Sequence, residues 1–173
     1  DEEHINCQCI RCREIGHKKT TQAYGLEDFE LFNESYTACG GVENFLSIED
    51  YNEESIAGFL RLRFPSKNHF REEISDKTAL VRELHVYGNM IQIGNKNPKI
   101  GQHTGFGERL LIEAENLAID NGKEEIAIIS GIGSRNYYRK FGYERKGPYM
   151  SKKLIWLIKK TLYIIIRIIT NNT

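Results

Sequence analysis

Hydrophobic residues change their period partway along this chain. From Phe29 they come in short runs rich in Phe, Leu and Ile, at residues 29–38, 43–50 and 55–64. Gly40-Gly41 and the polar stretch 51–54 punctuate the runs, which predicts a meander of antiparallel hairpins. Residues 78–87 alternate, with Leu80, Arg82, Leu84 and Val86 on one face and Val81, Glu83, His85 and Tyr87 on the other. That pattern predicts a central strand with one apolar face. Residues 88–101, with Asn95, Asn97 and Pro98, read as a loop. Leu110, Leu111, Ala114, Leu117 and Ala118 then recur at helical spacing, predicting an amphipathic helix over 108–121 that ends near Asn121-Gly122. A buried strand is expected at 125–130, a short helix at 134–141 and a final strand at 143–153. Residues 1–20 show no periodicity that would build a helix or strand. The order predicts an α/β (α+β) domain around a mixed central sheet.

Length and composition narrow this picture. A chain of 173 residues with 40% apolar and 10% aromatic residues is long enough for one cored domain and is not a disordered chain. It opens on Asp rather than Met, and we expect it to be a piece of something longer. Four Cys are too few for a disulfide scaffold. The balance of 24 Lys+Arg against 24 Asp+Glu hides an asymmetry. Residues 27–54 carry acids but no Lys or Arg, whereas in residues 134–167 Glu144 is the single acid among many bases. A basic lobe of that size suits a polyanion; it also suits attraction between two lobes of one molecule.

The sharpest local signal is Gln102-His103-Thr104-Gly105-Phe106-Gly107 at the mouth of the predicted helix. Glycines there allow a tight turn, and the helix N-terminus favours an anion such as a pyrophosphate. A glycine-rich turn before a helix is common, and the segment lacks both the phosphate-loop ending and the dinucleotide fingerprint. Context adds more. The hexapeptide fits the Gln/Arg-x-x-Gly-x-Gly/Ala signature of the Gcn5-related N-acetyltransferases. Asn136-Tyr137-Tyr138-Arg139-Lys140-Phe141-Gly142-Tyr143 resembles their second motif.

Together with Arg82 through Gly88, Ser130-Gly131, Gly147-Pro148-Tyr149-Met150 and Cys7 through Gly16, these motifs resemble the acetyltransferase-like domain of the Elongator catalytic subunit, archaeal and bacterial type, over roughly residues 4–153. The resemblance implies a Gcn5-related N-acetyltransferase fold that binds acetyl-coenzyme A and activates its thioester. The reaction it implies is C5 carboxymethylation of the wobble uridine (U34) of transfer RNA in the cytoplasm. A radical S-adenosylmethionine domain with a [4Fe-4S] cluster, not part of this sequence, would supply the radical chemistry. Carried over by residue, the cofactor contacts fall on Glu83, Leu84, His85, Val86, Gln102, Gly105, Phe106, Gly107, Glu108 and Tyr138, with Tyr138 catalytic as proton donor to the leaving sulfur. Tyr137 is expected to turn toward the core. Glu83 and His85 are candidates for a general base. A stand-alone protein or small-molecule N-acetyltransferase would use the same two motifs, and a non-catalytic RNA-binding module is a third reading.

Cys7, Cys9 and Cys12 have a spacing that suits one tetrahedral zinc, with His4, His17 or an outside residue as fourth ligand; three free thiols is the plainer alternative. Cys39 reads as a small core residue. Residues 154–169, apolar but interrupted by Lys159, Lys160 and Arg167, are too short to span a bilayer. Core packing, self-association into a homo-oligomer and attachment to an anionic partner remain open for them. The expected division is a cysteine-rich linker at 1–20, the acetyltransferase-like domain at 21–153 and an extension at 154–173. For transfer RNA, the expected contacts are the bases of residues 135–153, Lys152 and Lys153 among them, and a second run of Arg61, Arg63, Lys67 and Arg71.

Overall fold

A computed structural model describes residues 7–15, 29–50, 55–87 and 105–154. The expected loop at 88–101, Gln102, His4, His17 and the extension beyond Leu154 lie outside these residues. A short helix α1 (Ile10–Arg13) sits within the stretch where no helix was expected. Then come β1 (Phe29–Ala38), β2 (Gly41–Asp50), β3 (Ser55–Phe64), β4 (Thr78–Val86), α2 (Phe106–Asp120), β5 (Glu125–Ile129), α3 (Arg135–Arg139), β6 (Glu144–Lys146) and β7 (Tyr149–Lys153). The strands form a seven-stranded sheet in the order β1-β2-β3-β4-β5-β7-β6. β1 to β4 are an antiparallel meander, β4 and β5 are parallel, and β5, β7 and β6 close the sheet antiparallel. This is the mixed α/β sheet that the pattern predicts.

One helix covers one face. α2 buries Leu110, Leu111, Ala114 and Ala118 against Leu46, Ile48, Leu60, Leu62, Val81, Ile126, Ile128 and Met150. The two alanines let the helix backbone approach the sheet, and each buried Leu contributes about 1.5–3 kcal/mol. On the opposite face Ile74, Leu80, Ala127 and Tyr149 make a smaller cluster.

Three expectations are corrected. The final strand is a hairpin, because Gly147 takes φ +59° and pairs with Pro148 to make a two-residue turn between Lys146 and Tyr149. Cys39 is exposed rather than core: with φ 48° it shares the β1–β2 turn with Gly40 at φ 68°. The strict alternation expected for residues 78–87 breaks at Arg82. Leu62 faces Val81 and Arg61 faces Glu83, so Arg82 is a bulge residue with no opposite number. Ala79 and Val81 before the bulge, and Leu84 after it, share the helix-covered face, while Leu80 packs on the other.

Candidate functional site

The β4–β5 ladder is short. It pairs Thr78–Val81 with residues 125–128 and stops at the Arg82 bulge. Beyond that point β4 continues on β3, with Gly58 opposite Val86. Its other edge has no strand partner among the described residues, so backbone groups there are open to a ligand. β5 leaves the sheet at Ile129, turns through Gly131 and a 3-10 turn at Ile132–Ser134, and enters α3. The divergence of the two strands makes a cleft of about 430 Å³. Leu84 and Val86 form one wall, Gly105 to Glu108 at the start of α2 another, and Ser134, Tyr137, Tyr138 and Phe141 the third.

Gly105 carries φ +73° at the N-cap of α2, a conformation that glycine adopts without strain. No side chain caps this end, so the first-turn N–H groups point into the cleft region with the positive end of the helix dipole. Phe106 is buried and packs edge-on against Phe29, with centroids 5.1 Å apart. Arg109 Nη1 donates to the Phe29 carbonyl at 3.2 Å. These contacts fix the start of α2 against β1.

Both tyrosines line the cleft, but the ring turned toward the core is Tyr138 rather than Tyr137. Tyr138 belongs to the core cluster, 7% exposed, and Tyr137 is the outer ring at 37%. A short helix cannot turn both inward, and the inner position goes to the ring that meets Tyr143 at 6.1 Å. Tyr137 lies over α2 instead: a Cβ added to Gly107 would collide with its hydroxyl. Gly107 therefore makes room for a phenol of this chain as well as for any approaching anion. Burial, then the neighbouring Tyr137, pushes the Tyr138 hydroxyl above its ordinary value. Burial and Glu108 do the same for Tyr137. Both are neutral donors at physiological pH.

Of the residues expected at the cofactor, Leu84, Val86, Gly105, Phe106, Gly107, Glu108 and Tyr138 come together in this cleft. Gln102 lies outside the described residues. The Glu83 and His85 side chains point to the opposite face, and neither residue lines the cleft. There Glu83 lines a groove of about 490 Å³ with Tyr36, Phe45, Phe59, Tyr87, Arg61 and residues of α1. His85 stacks on Phe59 at 5.9 Å and meets Tyr87 at 4.6 Å.

Several expected polyanion contacts are already engaged. Lys152 donates to both carboxylate oxygens of Glu115 at 2.8 and 2.9 Å, and Tyr143 donates to the same carboxylate at 2.9 Å. The network ties α2 to the closing hairpin. Lys146 pairs with Glu125 at 2.8 Å, Arg61 with Glu83 at 3.8 Å and Arg63 with Glu43 at 2.8 Å. Opposite charges far apart in sequence could have signalled these pairs only once the sheet order was known. Lys140, Arg145 and Lys153 stay exposed.

The sulfurs of Cys7, Cys9 and Cys12 lie within 4.8 Å of one another, all on exposed residues. The Cys12 backbone N–H, followed by the neighbouring thiols, lowers the Cys9 pKa to about 7. Hydrogen bonds to Cys9 and Cys7 raise Cys12 to about 11. One thiolate that forms readily beside two further thiols is a donor set that fits a thiophilic divalent cation.

No helix among the described residues is long and apolar enough to cross a membrane. No family model matches the chain. It is 49% identical over 158 residues to a tRNA uridine(34) acetyltransferase of Methanocaldococcus jannaschii, covering 88% of this chain and 29% of that one. It is 45% identical over 149 residues to Elongator complex protein 3 of Danio rerio, covering 86% and 27%. The archaeal Elp3 of Methanocaldococcus infernus superposes with a TM-score of 0.75 at 48% identity, covering 86% of this chain and 35% of that one. The chain thus spans little more than a quarter of the length of these curated relatives.

Proposed function

This chain is homologous to the acetyltransferase region of Elongator complex protein 3 and of archaeal tRNA uridine(34) acetyltransferase, and from that premise we propose that it binds acetyl-coenzyme A and activates the thioester for carboxymethylation of the wobble uridine of transfer RNA at C5. The observation that carries this reading is a single cleft where the open edge of β4, the uncapped N-terminus of α2 and the neutral phenol of Tyr138 meet. A pantetheine arm laid along β4 would find backbone donors and acceptors at Glu83 to Val86. A pyrophosphate would find the first-turn N–H groups of Phe106 to Glu108. Tyr138, held protonated by burial, would donate to the departing sulfur.

Cys7, Cys9 and Cys12 would hold one zinc ion in a structural role beside the sheet, with a fourth ligand from outside the described residues. The radical chemistry, with S-adenosylmethionine and a [4Fe-4S] cluster, would belong to the part of the relatives that this chain does not span. Exposed Lys140, Arg145 and Lys153 support a transfer RNA approach through counterion release. The N-acetyltransferase reading rests on the same cleft. Thioester cleavage separates the two when the chain is assayed alone and together with a radical S-adenosylmethionine partner, with and without transfer RNA and with a panel of amines. Cleavage stimulated by transfer RNA supports the proposal. Acetylation of an amine without RNA moves the chain to the N-acetyltransferase reading.

A further inference from the structure

We infer that the groove behind β4 is a second binding site, one that stacks an unpaired nucleobase and reads its edge; that the base belongs to single-stranded RNA rests on the reading above. Groove and cleft lie on opposite faces of one strand. Leu84 and Val86 line the cleft, whereas Glu83 and Tyr87 line the groove. The lining differs from the surface beneath α2, where Leu, Ile and Val side chains meet the helix. In the groove four rings, Tyr36, Phe45, Phe59 and Tyr87, stand among Arg11, Arg61, Glu14 and Glu83, and Ile10 is the one aliphatic side chain. An aliphatic surface laid there would desolvate the charges and gain no hydrogen bonds. A flat ligand with a π face and a polar edge uses both kinds of group.

The rings form an ordered row across three strands. Phe45 and Phe59 stack at 5.4 Å with 26° between their planes, and His85 continues the row at 5.9 Å and 21°. Tyr87 is tilted 48° to Phe59 at 6.1 Å. Phe59 is buried at the base of the row, while Tyr36 is exposed and Tyr87 half-buried, so a ligand meets the outer rings first. Burial, then Glu14 and Glu83, raises the Tyr87 hydroxyl above its ordinary value, and the ring stays neutral toward a polyanion. Arg61 and Glu83 set a donor beside an acceptor on the groove wall. They approach to 3.8 Å, too long for a hydrogen bond, and both are partly exposed. A carbonyl next to an N–H, as on the pairing edge of uracil, would complement the two and convert that long contact into two hydrogen bonds.

The test titrates the full 173-residue chain into two short fluorescent RNAs of equal length, one an intact single strand of mixed sequence and one with abasic residues in its place. The phosphates are the same, so the difference reports the bases. Intact RNA should bind roughly tenfold more tightly, the worth of a stacked base. Tyr87→Ala should remove most of that difference while leaving the salt slope unchanged, because stacking releases no counterions. Tyr87→Phe keeps the ring and should keep the difference. Melting temperatures check that Tyr87→Ala folds, and Tyr36→Ala, at an exposed ring, gives the same test if it does not. Equal binding of the two RNAs, or a difference that survives both alanine variants, would overturn the site and leave the groove to a protein partner. Acetyl-coenzyme A titrated in parallel separates this site from the proposed function. Cofactor binding without base-dependent RNA binding overturns the groove alone. Base-dependent RNA binding without cofactor binding overturns the proposed function and leaves the groove standing.

Discussion

Tyr138 is packed like a core residue and yet lines the cleft, and that combination sets what its hydroxyl can do. Burial and the adjacent Tyr137 raise its pKa, so the neutral, donating form persists above the ordinary tyrosine value of about 10. Thioester cleavage should therefore show no loss from this group between pH 6 and pH 9, a profile read by initial rates. Tyr138→Phe should slow cleavage on the order of a hundredfold with little change in binding. Equal rates in the two proteins would transfer the role to Tyr137 or to water. Glu43 gives a second pH signature. Burial raises its pKa, but Arg63 and Arg82 more than offset this and hold the carboxyl below the ordinary range. A depressed carboxylate contributes stability that is complete above its unfolded value of about 4.3 and lost as pH falls through the folded one. Melting temperatures measured from pH 7 to pH 2 should fall with acid, and Glu43→Gln should flatten that fall. The tandem tyrosines were legible as a motif; which one turned inward was not, because that depends on Tyr143 and α2 packing around a five-residue helix.

At the scale of elements, the meander and α2 follow directly from period. β1 and β3 occupy the expected residues, and the buried stripe of α2 is the one its spacing dictates. Leu110→Ala should cost about 2–5 kcal/mol, measured by denaturant unfolding, because Leu110 is fully buried beneath the sheet. The β4 bulge was not legible. Alternation across 78–87 is unbroken in the sequence, and the phase shift shows only where β4 pairs with β3. The hairpin of β6 and β7 was hidden for a different reason: its strands are short and flank a single Gly-Pro turn, so they read as one run. Gly107→Ala offers a test of how α2 and α3 share space. The new methyl must displace the Tyr137 ring, and the expected outcome is altered Tyr137 resonances with the α2 helix intact. An unchanged Tyr137 environment would show that the two elements are not in contact.

Across the whole molecule, charge asymmetry has been partly spent on internal ties. Lys146 and Lys152 serve the closing hairpin, so replacing Lys152 should loosen the Glu115 network rather than subtract one phosphate contact. If transfer RNA crosses the basic lobe, Lys140→Ala and Lys153→Ala together should reduce the salt slope of binding by about two units, near one per phosphate contact. Zinc should be found near stoichiometric amounts in chain purified without chelator, and Cys9→Ser should lower it; metal-free protein with an unaltered melting temperature would leave the cluster without that role. The central claim, however, is the cleft between β4 and α2. Its most direct test is calorimetric titration of acetyl-coenzyme A into the full chain and into Gly107→Glu, which adds bulk and negative charge at the helix N-terminus. One-to-one binding that is abolished in Gly107→Glu while the fold survives is the predicted result. Binding of equal strength in both proteins, or none in the unmutated chain, would contradict it.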